Sequence, residues 1–352
     1  MKTRCLIFEK PFTCAIREAP LPEAREDRLL VAARCSAISA GTEMLVFQGR
    51  FPPGMALDAA LPGYAGKAFT YPLAYGYSSV GRVVAAGPRA DAAWVGRRVF
   101  AFQAHQSHFV APAAELIPVP DEVADEDAVF LAAMETAVNL VMDGRPIIGE
   151  RVMLLGQGVV GLLTTAVLAR FPLAALAVLE RWSLRRRAAL DMGAEAAWSG
   201  NEKDWAAEAA AVFRSQVADG GADLIFEMSG QPALLDTAMV WAGFGGRIVV
   251  GSWYGTKTAP IALGGRFHRN RLQLISSQVS TIAPELSGRW SKQRRLAAAW
   301  DLIARVRPSR LVTHRYPIED VQQAYEQVAE RPQETLQVLL TYQGPGGCPA
   351  LL

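Results

Sequence analysis

Cysteine and histidine are scarce in this chain of 352 residues, which contains four of each. The cysteines are Cys5, Cys14, Cys35 and Cys348, and no two of them are separated by only two or three residues. This spacing argues against a zinc knuckle and against a disulfide framework. A reducing compartment is therefore expected.

An excess of charge of either sign is also missing, since the chain has 36 basic and 34 acidic residues. No basic face for nucleic acid is indicated, and we expect no nucleic-acid partner. The N-terminal segment MKTRCLIFEKPF lacks the long apolar core and the small-residue cleavage site of a secretory signal. The protein is therefore expected in the cytoplasm.

A charge-free stretch of nearly membrane-span length does occur, at residues 152–169. Three glycines with the spacing of a strand–turn–helix unit belong to this stretch, and Arg170 and Pro172 follow directly. A buried strand followed by a helix explains this composition better than a membrane span. No association with a membrane is expected.

The chain is long enough for two domains, and its 51% hydrophobic composition can bury a sizeable core. Up to about residue 125 it is rich in proline, glycine and short β-like runs, whereas strands and helices alternate beyond that point. Six strands are expected in this second part, at residues 151–156, 174–180, 194–198, 221–230, 246–253 and 271–277. The alternation predicts an α/β fold with a doubly wound parallel sheet.

The turn after the first of these strands has the spacing of a dinucleotide-binding motif. It consists of Gly156, Gln157, Gly158, Val159, Val160 and Gly161. In this motif the first glycine allows the tight turn, the second lets a pyrophosphate approach the helix N-terminus, and the third allows close helix–strand packing. The spacing alone is weak evidence, but the apolar strand before it and the apolar helix after it make it specific.

An acidic residue, Glu180, ends the next strand. A carboxylate at this place accepts hydrogen bonds from the adenosine ribose and repels a 2′-phosphate, which favours NAD over NADP. Arg181 follows directly and residues 185–187 are all arginine, so a phosphate-binding role, and with it NADP, stays open. The alternative is that these arginines form a solvated helix face.

Small and polar residues follow the later strands, and ligands bind parallel sheets beyond the carboxyl ends of the strands. The candidates for contacts to the nicotinamide half of the cofactor are Ser229, Gly251, Ser252 and Gln278. Ordinary turns also use glycine and serine, so a structural role is equally consistent with them.

Four segments resemble the medium-chain dehydrogenase/reductase superfamily: AISAGTE at 37–43, GYSSVGRVVAAG at 76–87, VGRRVFAF at 95–102 and ETAVN at 135–139. The resemblance implies a Rossmann domain, the doubly wound sheet, at residues 126–284. This domain is inserted into a mostly-β, GroES-like catalytic domain formed by residues 1–125 and 285–352. The resemblance also implies that Thr136 lies near the nicotinamide, and that the protein is a homodimer, joined at the sheet edge after the sixth strand.

The sequence departs from the family at the catalytic zinc, because Ala40, Tyr77 and Ala132 occupy the positions of its three ligands. The cysteine-rich lobe that carries structural zinc in the family is missing as well. Catalytic zinc needs three protein ligands, so no metal is expected. His105 and His108 lie three residues apart, and in the strand-like segment expected here they point to opposite faces, which favours an ordinary polar role.

Without a metal, a protein group must stabilise the developing oxyanion or supply the proton. Tyr77 ranks first, because the resemblance places its phenol in the cleft; the alternative is a ring that fills the space of the metal. Thr42 ranks second, since it matches a hydroxyl that relays protons in zinc enzymes. Glu135 ranks third. It and Glu43 are the carboxylates nearest the implied cleft, and a fold-stabilising ion pair is the alternative role for each.

These residues predict an oxidoreductase that transfers hydride between a nicotinamide cofactor and an alcohol or ketone carbon of a small molecule. Segments 38–43 and 76–81 are similar to the zinc-free branch that contains the hydroxyethyl bacteriochlorophyllide dehydrogenases. Four aromatic residues offer flat apolar surface for a ring-bearing substrate, or pack as ordinary loop residues: Phe47, Phe51, Trp253 and Tyr254. Two alternatives stay open: an NADPH-linked enoyl or quinone reductase, and a dinucleotide-binding redox sensor without catalysis.

Overall fold

The structure is a computed structural model, and it describes residues 2–57, 61, 64, 66–214 and 220–342. The chain divides into two compact units, the first formed by Met1–Ala132 with Ile303–Leu352 and the second by Ala133–Leu302. The divisions thus follow residues 132 and 302. The sequence-based prediction sets them after residues 125 and 284.

In the described part of the chain, strands and helices are numbered in chain order. The strands are β1 (Lys2–Lys10), β2 (Thr13–Pro20), β3 (Arg28–Ala37), β4 (Ser79–Ala86), β5 (Arg98–Ala101), β6 (His108–Pro112), β7 (Ile117–Pro118), β8 (Arg151–Leu155), β9 (Ala175–Leu179), β10 (Ala196–Trp198), β11 (Ala222–Glu227), β12 (Ala242–Val250), β13 (Gln273–Ser276), β14 (Val312–Pro317) and β15 (Gln337–Thr341). The α-helices are α1 (Thr42–Phe47), α2 (Asp125–Ala128), α3 (Leu131–Gly144), α4 (Val159–Leu168), α5 (Ser183–Asp191), α6 (Trp205–Val212), α7 (Leu234–Trp241), α8 (Lys292–Val306) and α9 (Val321–Glu330). Short 3-10 helices lie at Ala92–Trp94, Ala113–Glu115, Pro308–Leu311 and Ile318–Asp320, and a π-helical turn lies at Leu263–Phe267.

The first unit is built on a mostly antiparallel sheet with the strand order β14-β15-β3-β4-β5-β7, in which β6 also pairs with β3. Strands β14 and β15 are the parallel pair of this sheet, and β1 and β2 form a separate antiparallel pair. Strand β3 alternates between buried and partly exposed residues at its start, with Leu29 and Val31 in the core beside Val83 and Phe109. Such alternation is typical of an antiparallel sheet that packs on one face.

The second unit contains a parallel sheet with the order β10-β9-β8-β11-β12-β13. Its central strands are buried on both faces, as the apolar residues 152–155 of β8 show, because helices cover both faces of such a sheet. The strand order reverses between β8 and β11. A doubly wound sheet binds its ligand at this switch point, beyond the carboxyl ends of the strands.

The predicted fold class is confirmed: a doubly wound parallel sheet accompanies a separate, mostly-β sheet. The charge-free stretch at 152–169 forms most of β8, the glycine turn and the ten-residue helix α4. Among the described residues, no helix combines the length and the apolar character that crossing a membrane requires.

Three of the four cysteines lie in the described part, and Cys5, Cys14 and Cys35 are free thiols. Burial raises the pKa of Cys14 and of Cys35 to about 12, with nearby carboxylates acting in the same direction. These two thiols therefore stay protonated and unreactive at neutral pH. Cys348 lies outside the described residues.

Candidate functional site

The glycine turn between β8 and α4 contains three glycines with different steric surroundings. Gly156 has a φ of +92°, which favours glycine, and a Cβ there would lie 2.6 Å from the Cα of Ser229. A Cβ at Gly161 would lie 2.3 Å from the carbonyl oxygen of Gly156, so α4 contacts the turn at backbone distance. At Gly158 a Cβ would meet no atom of the described residues within 4 Å. The space beside Gly158 is therefore open to a ligand.

Helix α4 begins beside this open space. Gly158 is its N-cap, and no acidic side chain lies in its first turn at residues 159–161. The first amide groups of a helix have no partner within the helix and attract anions. Gln157 is buried, and its Nε2 has no hydrogen-bond partner within the described part of the chain. The turn fits the pyrophosphate of a dinucleotide.

Glu180 follows β9 and lies against the same turn, with only 7% of its surface exposed. Its Oε2 accepts a hydrogen bond from the backbone N–H of Gln157 at 2.8 Å, and its Oε1 accepts one from Trp182 at 2.9 Å. A carboxylate has about four acceptor sites, so two remain for ribose hydroxyls. Arg181 stacks over the ring of Trp182 with 4.3 Å between its guanidinium carbon and the ring centroid.

The predicted contacts after β11 and β12 lie around a carboxylate that sequence reasoning missed. Glu227 is fully buried at the end of β11. Its Oε1 accepts from the backbone N–H and the hydroxyl of Ser229, and its Oε2 accepts from the hydroxyl of Tyr254 at 2.5 Å. Burial raises the pKa of Tyr254, and the hydrogen bond to Glu227 adds to this. The Oγ of Ser252 accepts from the N–H of Gly230 at 2.9 Å.

Two further predicted contacts have different surroundings. A Cβ at Gly251 would lie 2.6 Å from the Cδ2 of Leu140, so close packing accounts for this glycine. Gln278 is exposed, and its Oε1 accepts from the backbone N–H of Ser280. The structure thus gathers Ser229 and Ser252 near the glycine turn.

Tyr77 lies in the first unit, two residues before β4. Its hydroxyl donates to the Oγ of Ser39 at 2.5 Å, and Thr42 is its second hydroxyl partner. Burial raises the pKa of Tyr77 to about 12; the charge of Glu43 acts in the same direction, and the bonds to Ser39 and Thr42 oppose it. The phenol therefore keeps its proton at neutral pH, and the structure brings two of the three catalytic candidates together.

Behind Ser39 lies a carboxylate with no exposed surface, Glu43. Its Oε1 accepts from the backbone N–H of Ser39 at 3.0 Å. Its Oε2 lies 2.9 Å from the Nε2 of His105 and accepts from the hydroxyl of Tyr325. On the other side of the ring, the Nδ1 of His105 lies 2.6 Å from the Oγ of Ser36, which lies 2.6 Å from the hydroxyl of Tyr342.

We name these residues the Glu43 network: Ser36, Ser39, Glu43, His105, Tyr325 and Tyr342. Both ring nitrogens of His105 are engaged within it, in agreement with the polar role that the sequence favours. Sequence reasoning missed the network as a unit, because its members come from distant parts of the chain.

Glu135 forms an ion pair with Arg295, whose side chain has no exposed surface. The Nε and Nη2 of Arg295 donate to the Oε1 of Glu135 at 3.1 and 2.8 Å. The remaining donors reach Asn139 and the backbone carbonyls of Val279 and Thr281. All five N–H groups of the guanidinium therefore have an acceptor. Of the two roles weighed for Glu135, this is the fold-stabilising one; Thr136 beside it is half-buried on α3.

At the three positions that the resemblance assigns to zinc ligands, the side chains do not fit the metal. Ala40 is exposed and Ala132 is buried, and neither side chain can bind zinc. Tyr77 keeps its proton and donates a hydrogen bond to Ser39. Within the described ranges, no cluster of three or more His, Cys, Asp or Glu side chains has a geometry that holds a metal ion.

The aromatic residues considered for substrate contact pack mainly against one another. Phe47 is 1% exposed and lies against Tyr325, with 5.3 Å between the ring centroids, so it belongs to the core. Phe51 stacks on Phe69 at 5.0 Å. Trp253 is half-buried. Residues 58–60, 62, 63 and 65, in the segment between Phe51 and Phe69, lie outside the described residues.

Known proteins are similar to this chain in sequence and in fold. The sequence profile of the zinc-binding dehydrogenase family matches residues 159–302. A 2-desacetyl-2-hydroxyethyl bacteriochlorophyllide A dehydrogenase of Cereibacter sphaeroides is 25% identical over 364 residues, which cover 97% of this chain and 99% of that protein.

Two solved structures are similar to this chain, and each match covers 97% of this chain and 99% of the other. One is a short-chain alcohol dehydrogenase of Escherichia coli in complex with NADH, with a TM-score of 0.77 and 20% identity. The other is a zinc-binding dehydrogenase-type protein of Sinorhizobium meliloti bound to NADP, with a TM-score of 0.75 and 19% identity.

The fold and these similarities define the class of the protein as a dehydrogenase-type oxidoreductase. The matched family model, the similar dehydrogenase and the shared fold together confirm the resemblance to the medium-chain dehydrogenase/reductase superfamily that is seen in the sequence.

Proposed function

We propose that the protein is a zinc-independent, NAD-linked dehydrogenase that transfers hydride between the nicotinamide and an alcohol or ketone carbon of a small molecule. The observation that carries the proposal is the phenol of Tyr77, which occupies a zinc-ligand position, keeps its proton at neutral pH and is oriented by Ser39. When bound, the nicotinamide supplies or accepts the hydride. In the reducing direction the O–H of Tyr77 would turn from Ser39 to the substrate oxygen and donate its proton there. Ser39 and Thr42 would then donate hydrogen bonds to the phenolate and pass it a proton from solvent.

The cofactor would be held in the second unit. The open space at Gly158 and the start of α4 suit its pyrophosphate, and Glu180 suits the adenosine ribose. We assign contacts with the remaining parts of the cofactor to six residues: Thr136, Arg181, Ser229, Gly251, Ser252 and Gln278. We assign Glu135 to the ion pair with Arg295 rather than to proton transfer.

The cofactor preference is tested by titrating the protein with NADH and NADPH and following fluorescence. We expect NADH to bind more tightly, because Glu180 repels a 2′-phosphate. Glu180→Gln removes that charge at nearly constant volume and should lower the NADH-to-NADPH affinity ratio by about tenfold. Glu195→Ala, an exposed acid of the same unit, is the control and should leave the ratio unchanged. Tighter binding of NADPH by the unmodified protein would contradict the NAD assignment.

Metal independence is tested by elemental analysis of the purified protein. The donor set at Ala40, Tyr77 and Ala132 predicts zinc far below one atom per chain, and turnover that survives chelators. Zinc in stoichiometric amount would overturn this part of the proposal.

Reaction type is tested with 1-phenylethanol and acetophenone as a ring-bearing secondary alcohol and its ketone, and with 2-cyclohexenone as an enone. Turnover of the first pair supports the proposal, and Tyr77→Phe should lower kcat by about a hundredfold or more while NADH affinity stays unchanged. NADPH-linked reduction of the enone alone would favour an enoyl or quinone reductase. Cofactor binding without any turnover would favour a redox sensor.

We also propose a homodimer joined through the edge strand β13. This strand ends the parallel sheet, and three of its four residues are exposed, including Leu274 at 38%. An unpaired edge strand offers backbone groups to a second copy. Sedimentation of the unmodified protein and of Leu274→Lys distinguishes a dimer from a monomer.

A further inference from the structure

The proton donor assigned above, Tyr77, needs a fixed orientation, because a misplaced donor loses most of its effect. The contact that the phenol makes with Ser39 is therefore only as rigid as Ser39 itself. Ser39 precedes α1 in an irregular segment and is half-buried. The residues that hold Ser39 consequently control where the phenol points.

Glu43 holds Ser39 through two hydrogen bonds. The Oε1 of Glu43 accepts from the backbone N–H of Ser39 at 3.0 Å, and the backbone N–H of Glu43 donates to the carbonyl oxygen of Ser39 at 3.0 Å. The Ser39 hydroxyl remains available to accept from Tyr77. Glu43 therefore acts on the phenol of Tyr77 indirectly, through the single intervening residue Ser39.

His105 links the same carboxylate to Tyr77 by a second route. Its Nε2 lies 2.9 Å from the Oε2 of Glu43. Its ring also lies against Gly76, where a Cβ would come within 2.6 Å of the His105 Cδ2, and Gly76 has a φ of +130°. Because Gly76 directly precedes Tyr77, the packed ring fixes the backbone from which the phenol extends.

The far side of the Glu43 network supplies the anchors. Tyr325 on α9 donates to Glu43. Tyr342 and Ser36 extend the chain of contacts from the other nitrogen of His105. When the hydrogen of His105 is on Nε2, Tyr342 can donate to Ser36, Ser36 to His105 and His105 to Glu43, so the chain of hydrogen bonds ends on the carboxylate.

We propose that Glu43 and His105 are positioning residues, which fix the hydroxyl of Tyr77 through Ser39 and Gly76 in the metal-free site. The inference rests on the proposed role of Tyr77 as proton donor. In this arrangement Glu43 neither contacts the substrate nor transfers the proton, and its charge acts through the backbone and side chain of its neighbours. Loss of the charge should therefore lower kcat without weakening cofactor or substrate binding.

The test uses the full-length protein with acetophenone and NADH as the probe reaction. Glu43→Gln should lower kcat by about tenfold or more, with the Kd of NADH and the KM of acetophenone within about twofold. In the Tyr77→Phe background the same change should cause no further loss, because the group that Glu43 positions is absent. Glu126→Gln is the matched control, since this carboxylate pairs with Arg315 near the surface of the same unit. It should leave kcat unchanged.

A second measurement does not depend on turnover. Tyrosine labelled with ¹³C at Cζ gives a resonance for Tyr77 that Tyr77→Phe identifies by its loss. This resonance should shift or broaden in Glu43→Gln and, to a smaller extent, in Tyr325→Phe, which removes only one hydroxyl from the carboxylate. If Glu43→Gln folds poorly, the resonance of Tyr77 is measured in Tyr325→Phe instead.

The outcomes separate the two proposals. Wild-type kcat in Tyr77→Phe would refute Tyr77 as the proton donor, while the resonance still reports whether Glu43 orients the phenol. The positioning role would be overturned by a Tyr77 resonance that does not move or by an unchanged kcat in Glu43→Gln. It would also be overturned if the double variant lost kcat by the product of the two single losses.

Discussion

At the scale of single residues, Gly158 and Gly161 belong to the same turn but have opposite steric surroundings. A Cβ at Gly158 would meet nothing within 4 Å in the described part of the molecule, whereas one at Gly161 would lie 2.3 Å from a carbonyl oxygen. We expect Gly158→Ala to lower NADH affinity by about tenfold or more, because the methyl group occupies the pyrophosphate space, while stability changes by less than about 1 kcal/mol. Fluorescence titration and thermal unfolding measure the two effects.

Gly161→Ala is the matched variant with the reverse expectation. Overpacking at backbone distance should reduce the free energy of unfolding by about 1–3 kcal/mol or more. Normal NADH affinity in Gly158→Ala, together with normal stability in Gly161→Ala, would show that the turn has neither of the two assigned constraints.

Local residue patterns predicted some of the site. The glycine turn and Glu180 belong to one strand–turn–helix–strand unit, so spacing alone places them near each other, and the structure has Glu180 bonded to Gln157. The partner of Glu43 on α9 is Tyr325, which lies 282 positions along the chain. No local pattern reports such a contact, since it depends on how the sheet of the first unit closes.

At the scale of elements, Arg295 on α8 holds α3 and the segment after β13 together. It does so through Glu135 and the backbone carbonyls of Val279 and Thr281. Arg295→Met leaves the Glu135 carboxylate buried without its partner, so the free energy of unfolding should fall by about 3–5 kcal/mol. Chemical denaturation measures this loss.

Two comparisons make this prediction sharper. The double variant Arg295→Met with Glu135→Leu removes both charges and should recover much of the loss. Arg315→Met breaks the more exposed pair with Glu126 and should cost less than about 1 kcal/mol. Equal losses in Arg295→Met and Arg315→Met would contradict the role assigned to the buried pair.

Element positions followed closely from hydrophobic periodicity where strands are buried on both faces, as in β8 and β9. The start of β12 did not, since the strand begins at Ala242, directly after α7, whereas residue 246 was predicted. A register shift in its pairing with β11 accounts for the added residues, and such shifts leave little trace in composition. Glu227 was overlooked for a related reason, because a buried acid interrupts the apolar pattern only at the last residue of β11.

At the scale of the whole molecule, several buried tyrosines share one pH dependence. Burial raises the pKa of Tyr64, Tyr325 and Tyr342, and that of Tyr77 to about 12. In the unfolded chain these phenols titrate near ~10, so the folded state binds their protons more tightly. The stability that they contribute is complete below pH ~10 and is lost as pH rises from there towards 12.

Above pH ~10 the free energy of unfolding should fall by about 1.4 kcal/mol per pH unit for each such tyrosine. Denaturation series between pH 7 and 11 measure this slope. Tyr342→Phe removes one of the buried phenols and should reduce the slope by the contribution of a single tyrosine. A flat profile up to pH 11 would contradict the assignment of these phenols as buried and protonated.

The overall architecture was predictable because two periodicities coexist in the sequence, a β-like pattern early and alternating strands and helices later. The same patterns contain no information on which distant strands pair. In the first unit β15 pairs with β3 through Leu339 and Ala37, and this closure is absent from any local pattern.

That closure also sets an order in time during synthesis. Every described strand of the second unit has been synthesised once Ser276 has been added, so its parallel sheet can complete as the rest of the chain is translated. The first unit has all of β1 to β7 by then, yet β3 lacks its neighbour β15 until Thr341 emerges. The part of the protein that is made first is therefore the part that finishes folding last, and its unpaired strand edge is the surface that a nascent chain must keep from aggregating.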